Sequence, residues 1–504
     1  MQKVIIIGGG IGGLATACIL AKKGYEVSLY EKNSNLGGRA NIFEAEGFKF
    51  DMGPSWYLMP DVFENFFEFM GEKVEDHLDL IRLEPSYRIF FKDDNKIIDM
   101  FSDLERDIPV LEELEPGAGD KLREYLDKAR QQYEIAKDGF MYKNYDSIFD
   151  FINFRTMIEG SKLSVFSDMD AYVSKYFKND LVKKILQYPL VFLGSSPYNT
   201  PALYSIMNHI DFNMGVFYPQ GGIYTITEAL VKIAKKNGVN LVSGNGARQI
   251  IVENGKASGV ELESREIIKA DIVVSNADMT HTELNLLPAE HRQYDEKYWD
   301  KKTLAPSALI MYLGIKGKVD SLVHHNLLFS QDWRTNFKQI FDDPMWPEDP
   351  SLYVCAPSKT DPDVAPAEDE NLFVLVPIAA GLEYTEEHLE SYADKILTIM
   401  QEEMNIPDLK ERIIYKRLYS VKNFQQDYNA YQGTALGLAH TINQTAIFRP
   451  NNYSKKVKNL YYVGAGTNPG IGVPIQLISA EMVYKRIAKI KQDSPLRGRG
   501  VDKV

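Results

Sequence analysis

A chain of 504 residues with 44% hydrophobic and 25% charged side chains has the makeup of a globular protein and exceeds one ordinary core, so two closely joined domains are expected. Its formal net charge of −13 argues against a nucleic-acid partner. Only two cysteines, Cys18 and Cys355, with no His-x-x-His spacing, make a disulfide framework and a metal centre unexpected and suit a reducing cytoplasmic setting.

The chain opens on Val4-Ile-Ile-Ile7, a β-branched run that reads as a buried parallel strand, followed by Gly8-Gly-Gly10-Ile11-Gly12-Gly13. Gly8, Gly10 and Gly13 fit G-x-G-x-x-G: a tight turn, room for a pyrophosphate against the backbone, and close helix–strand packing. Leu14, Ala17 and Ala21 then share one helical face, and Gly24 stands where a helix ends. Glu26–Tyr30 reads as a second strand ending on Glu31, whose carboxylate can accept both ribose hydroxyls and would repel a 2′-phosphate, which favours FAD or NAD over NADP. Five glycines interrupt the apolar stretch Val4–Leu20 and only Lys3 supplies a charged side chain before it, a poor match to a signal peptide or membrane span.

Next come Lys32-Asn-Ser-Asn-Leu36-Gly37-Gly38-Arg39, where Arg39 offers a rigid fork of donors, and Gly47-Phe-Lys-Phe-Asp51-Met-Gly53-Pro54-Ser55, a strand running into a turn. From Asp61, read as a helix cap, to Met207 the pattern is mainly helical. Exceptions are two strands within Tyr87–Met100 joined at Asp93-Asp-Asn95, while Gly119–Ala136 is a charged helix. Ile148–Ile158 is dense in large apolar groups and flanked by Lys162, Lys175, Lys178, Lys183 and Lys184. It suits either a membrane-contacting entrance or an amphipathic core helix.

Tyr218-Pro-Gln-Gly-Gly222 precedes a helix at Tyr224–Asn237. Strands at 239–242, 249–252, 256–263 and 266–274 then form one sheet, with Asn254-Gly255 as a hairpin turn. Strands Ala308–Gly314 and Leu372–Ala379 are apolar enough to wall a cavity. His324-His325 reads as loop surface, Asp361–Asp369 as a loop, and Glu386–Met404 as an amphipathic helix. After Tyr431–His440 and Phe448-Arg449-Pro450 comes Val463-Gly464-Ala465-Gly466-Thr-Asn468-Pro-Gly-Ile-Gly-Val473-Pro474. A strand there enters a Gly- and Pro-rich segment and then a helix, whose N-terminal dipole would favour negative charge.

Gly37-Gly38-Arg39, placed so soon after the acid, resembles the extended FAD motif of the amine oxidase and phytoene desaturase superfamily. Gly53-Pro54-Ser55, Tyr218-Pro-Gln-Gly-Gly and Gly464-Ala-Gly-Thr-Asn-Pro-Gly resemble the bacterial-type phytoene desaturases, and the likeness runs from Lys3 to about Ile487. It implies an α/β fold: a Rossmann-like FAD-binding domain assembled from segments 1–70, 208–300 and 440–495, with a mixed α+β substrate domain from 71–207 and 301–439 and a tail at 496–504. It implies FAD contacts at Gly8, Gly10, Ile11, Gly12, Gly13, Glu31, Lys32, Gly38, Arg39, Gly53, Pro54, Ser55, Arg248 (through its backbone), Gly464, Gly466, Val473 and Pro474. Relatives commonly carry His where this chain has Asn468, so that side chain receives no catalytic role, and no catalytic base is assigned.

The implied reaction is desaturation of a C40 carotenoid, phytoene towards lycopene. A hydride passes to the flavin, a proton leaves the adjacent carbon, and a quinone or oxygen reoxidises the cofactor. A lipid-soluble substrate further implies peripheral association with the inner face of the cell membrane. The same resemblance leaves open a hydroxylated or later carotenoid, isomerisation, an amine or protoporphyrinogen oxidase, and a non-enzymatic binder of prenylated proteins.

Overall fold

The computed structural model describes residues 1–92, 96–145, 149 and 167–497. Two sheets organise it. The first is five-stranded and wholly parallel, in the order Leu460–Tyr462, Ile272–Ser275, Lys3–Ile7, Glu26–Tyr30, Asn240–Val242. Its middle strand has no edge and two covered faces, which is why it is continuously apolar rather than alternating. Val4 and Ile6 pack with Leu14, Leu230 and Ile478, from helices Ile11–Lys22, Tyr224–Lys236 and Val473–Ile487. Ile5 and Ile7 pack with Ile250, Val260 and Leu262 of a three-stranded antiparallel sheet. Segments far apart in sequence thus converge because each buries one face of the same strands.

The second sheet has seven strands, in the order Ile413–Tyr419, Ser307–Ile315, Glu370–Ile378, Leu352–Cys355, His325–Phe329, Tyr87–Phe91, Lys96–Met100. All neighbours are antiparallel except His325–Phe329 beside Tyr87–Phe91. Its second strand, Ser307–Ile315, is buried along its whole length. Helices Leu104–Leu114, Ala118–Gly139 and Asp180–Gln187 build an aromatic-rich core against one end of this sheet.

Several expectations change. The stretch from 239 to 274 is not one sheet. Asn240–Val242 and Ile272–Ser275 join the parallel sheet, and only Ala247–Glu253, Lys256–Leu262 and Ile267–Lys269 pair antiparallel. Ala270-Asp271 breaks the last run, because Asp271 lies outside both strands and accepts from the Lys3 backbone N–H at 2.8 Å. Asp61 does not cap its helix. Met59, with φ of 57°, holds that position and Pro60 begins Pro60–Phe69. Pro fits there because the first turn's N–H groups lack partners anyway. Asp61 instead accepts from Tyr133 Oη at 2.9 Å and Lys137 Nζ at 2.8 Å. His324 and His325 are not loop surface, being 4% and 0% exposed. The Asp93-Asp-Asn95 turn, Lys162 and the Ile148–Ile158 stretch lie outside the described residues, save Phe149, which is exposed. Among the described residues no helix is long and apolar enough to cross a membrane.

Candidate functional site

One cavity of about 880 Å³ runs from the glycine-rich turns of the parallel sheet to the helices beyond the seven-stranded sheet. It has the size of a ligand site. Of the residues singled out from sequence, Gly8, Gly10, Ile11, Gly12, Glu31, Lys32, Gly38, Arg39, Gly53, Pro54, Ser55, Arg248, Gly464, Gly466, Val473 and Pro474 all line it. Gly13 does not. A Cβ there would lie 2.2 Å from the Gly8 carbonyl oxygen, so its role is the close helix–strand approach.

The glycine end is made of backbone. Gly8 turns out of the strand at φ of +94°. Gly10 caps helix Ile11–Lys22 with no side-chain bond and no acid in the first turn, so that helix offers uncompensated N–H groups and a positive dipole end. Helix Val473–Ile487 begins the same way, after Gly472, with no side-chain cap and no acid in its first turn. Glu31 is 6% exposed and accepts from the Gly9 N–H at 2.7 Å and the Asn33 N–H at 2.9 Å. Lys32 reaches the Gln426 carbonyl at 2.5 Å. Arg39 lies over the Tyr428 ring at 5.4 Å, and its charge opposes the rise that burial imposes on the Asp278 carboxyl. Arg248 turns outward to Glu261 at 2.9 Å, so only its backbone can serve the cavity.

Asn276 was not legible from sequence. It follows strand Ile272–Ser275 and donates from Nδ2 to the Val463 carbonyl at 3.0 Å. A Cβ on Gly10, Gly12 or Gly464 would come within 2.8–2.9 Å of its amide. One side chain thus packs between two glycine segments, Gly10–Gly12 and Gly464, and bonds to the second through Val463; the only sequence signal was its place at a strand end. Asp51 was read only as part of a strand and turn. Its carboxylate accepts from Ile223 N–H at 2.8 Å and Tyr224 N–H at 3.0 Å, at the N-terminus of helix Tyr224–Lys236. Burial raises its pKa to about 6. Tyr218-Pro-Gln-Gly-Gly222 is not part of the lining. Tyr218 and Gly221 bond to Asp361 at 3.1 and 2.6 Å, and Gly222 accommodates the Asp51 carboxylate, which a Cβ there would approach to 2.6 Å. The motif therefore anchors the segment that presents Gly53-Pro54-Ser55.

The far end is apolar and built from scattered side chains: Val191, Leu203 and Met207 on one side, Leu327, Phe329, Phe337 and Ile340 on another. A chain of polar groups runs from the lining residues Ser55 and Tyr353 to His325 behind them. Ser55 Oγ lies 2.7 Å from Tyr353 Oη, which lies 2.8 Å from His325 Nδ1. The His325 ring stacks on Trp56 at 4.1 Å. Burial pushes His325 well below the usual imidazole range, and His324 to about 3, so both are neutral. The Cys355 thiol, which together with these two rings forms a cluster of ligand-type atoms within 4.8 Å, is pushed up to about 12 by burial.

Among the described residues, Arg39 and Gln476 of the lining each carry a buried polar atom without a partner, Nε and Oε1, at the glycine end. Together with two uncapped helix N-termini, they are donors and acceptors suited to a large, anionic, hydrogen-bonding group. A dinucleotide with an isoalloxazine fits that set.

The family description "Flavin containing amine oxidoreductase" matches residues 11–483, and the chain belongs to that family, whose cofactor is FAD. Within it the chain stands among the carotenoid desaturases. It is 47% identical over 483 residues to a carotenoid 3,4-desaturase of Haloarcula japonica, covering 95% of this chain and 97% of that one. It is 34% identical over 490 residues to a zeta-carotene-forming phytoene desaturase of Myxococcus xanthus, covering 96% and 94%. The crystal structure of an oxidoreductase from Methanosarcina mazei shares the fold, with a TM-score of 0.61 at 19% identity over 96% of this chain and 100% of that one.

Proposed function

We propose that this enzyme desaturates an acyclic C40 carotenoid, the flavin seated on the glycine end and the polyene along the apolar end. The observation that carries the reading is the single cavity joining two uncapped helix N-termini to a long apolar wall. When bound, the flavin accepts the hydride. Gly10, Ile11 and Gly12 would take the pyrophosphate on backbone N–H groups, Gly8, whose own N–H is held by the Tyr30 carbonyl, would make the turn beneath it, Glu31 would take the ribose, and Gly464–Pro474 the ring system. The apolar wall would exclude water and align the chain. It supplies no charged ligand, as an uncharged substrate requires. The 1–70, 208–300 and 440–495 segments would form the cofactor part, and 71–207 with 301–439 the substrate part.

The likeness to a 3,4-desaturase at 47% against 34% for a phytoene desaturase favours a later, already conjugated carotenoid. Phytoene towards lycopene is the second reading. Loading from the inner face of the cell membrane, and reoxidation by a quinone or oxygen, follow from the substrate's solubility and the reaction's electron balance. The test is expression in hosts that accumulate phytoene or lycopene, with products analysed by mass. Loss of two hydrogens per step from lycopene, and none from phytoene, supports the first reading, and the reverse supports the second. Loss from neither removes both.

A further inference from the structure

Arg449 is 1% exposed, yet among the described residues it has no carboxylate partner. Its guanidinium donates only to four backbone carbonyls: Thr467 at 3.1 Å, Gln444 at 3.2 Å, Leu438 at 3.0 Å and Ala465 at 2.6 Å. Burial lowers its pKa to about 10, which leaves it charged at neutral pH. A buried cation without an anion is costly even when its hydrogen bonds are met. A methionine or leucine would fill the space without that cost.

The orientation of the bonded peptides suggests what the charge is for. In a trans peptide the N–H points opposite the C=O. With the Ala465 and Thr467 carbonyls turned onto Arg449, the N–H groups of Gly466 and Asn468 point away from it. Neither N–H has an acceptor among the described residues. Ala465, Gly466, Thr467 and Asn468 all line the cavity, beside the uncapped start of helix Val473–Ile487.

We propose that Arg449 is the fixed positive charge behind a backbone anion hole, formed by the Gly466 and Asn468 N–H groups, that stabilises the reduced flavin. The inference rests on the flavin being seated against Gly464–Pro474. FAD plus one hydride gives FADH⁻, whose negative charge is delocalised over the N1–C2=O edge. A preorganised cation and two aligned peptide dipoles stabilise that charge without reorganisation. Arg449 touches no substrate. It is a positioning residue that acts through the loop.

The test uses the purified flavin-bound protein and two variants, Arg449→Lys and Arg449→Gln. The readouts are the flavin midpoint potential, from anaerobic dye equilibration, and the affinity for sulfite, whose flavin adduct carries the same N1–C2=O charge. Arg449→Gln is expected to weaken sulfite binding at least tenfold and to lower the potential correspondingly, about 30 mV for a two-electron tenfold change. Arg449→Lys is expected to keep both within about threefold of wild type. Unchanged potentials in both variants, or an equal fall in both, would overturn the proposal. If Arg449→Gln fails to fold, the wild type alone decides. At a pH where free reduced flavin is protonated at N1, the bound reduced flavin should show the spectrum of the N1 anion, and a neutral reduced spectrum refutes the anion hole. Wild-type protein without flavin would instead sink the cofactor seating itself.

Discussion

The two ends of the cavity are made from different materials. At the glycine end the chain presents peptide groups: two helix starts and two glycine segments with one asparagine side chain packed between them. At the far end it presents side chains from strands and helices more than a hundred residues apart, such as Val191 and Phe337. A backbone site tolerates almost no change in side-chain volume, because its geometry is the fold. An apolar wall tolerates substitution in stability but registers it in what fits. The first end should therefore fail by losing the cofactor, and the second by losing turnover while keeping it.

The largest expected effect tests the first end. Gly13→Ala places a methyl 2.2 Å from the Gly8 carbonyl, so the strand–helix contact must open, at a cost of about 3 kcal/mol. Thermal denaturation should show that loss together with flavin release on purification. A variant that retains flavin and melting temperature would break the contrast.

A comparable effect sits behind the far end. Asp211 is 3% exposed and accepts from Tyr87 Oη at 2.8 Å. Burial raises its pKa from the ordinary 3.8 to about 7. A raised folded value means that the native state holds a proton the unfolded chain has released. Its contribution is therefore complete below about pH 4 and is lost as pH rises through about 7, up to about 4 kcal/mol. Asp211→Asn should keep the bond from Tyr87, raise stability at pH 8 and show little gain at pH 4, as read by urea denaturation. A gain independent of pH would contradict this.

Smaller in stability but sharper in function, Val191→Trp should narrow the apolar end. Flavin content should stay at wild type while turnover of a carotenoid falls about tenfold, equivalent to about 1.4 kcal/mol in the barrier. Loss of flavin there would mean that the ends are not separable. The smallest effect is expected for Arg248→Ala. Its side chain leaves the cavity for Glu261, so flavin affinity should change less than twofold by fluorescence titration.

The same contrast explains what the sequence disclosed. The glycine turns were legible because local backbone demands leave a local signature: Gly8, Gly10 and Gly38 permit close approaches that other residues cannot. The parallel sheet was legible strand by strand, but not the split at 270–271, because a short β-branched run looks alike in either sheet. Asn276 gave no pattern, and Arg449 and Ser55 stood in recognisable motifs whose partners stayed hidden, since each acts on residues brought close only by the fold. His325 misled for the same reason. A histidine pair is ordinarily exposed, and only its pairing opposite Cys355 at the start of a buried strand takes it inside.

The most direct test of the account is anaerobic mixing of the purified protein with an acyclic carotenoid in liposomes, followed by absorption. The account predicts flavin bands that bleach in step with a red shift of the polyene bands, one new double bond for each flavin reduced. Flavin that stays oxidised beside phytoene, lycopene and their hydroxylated forms would contradict it.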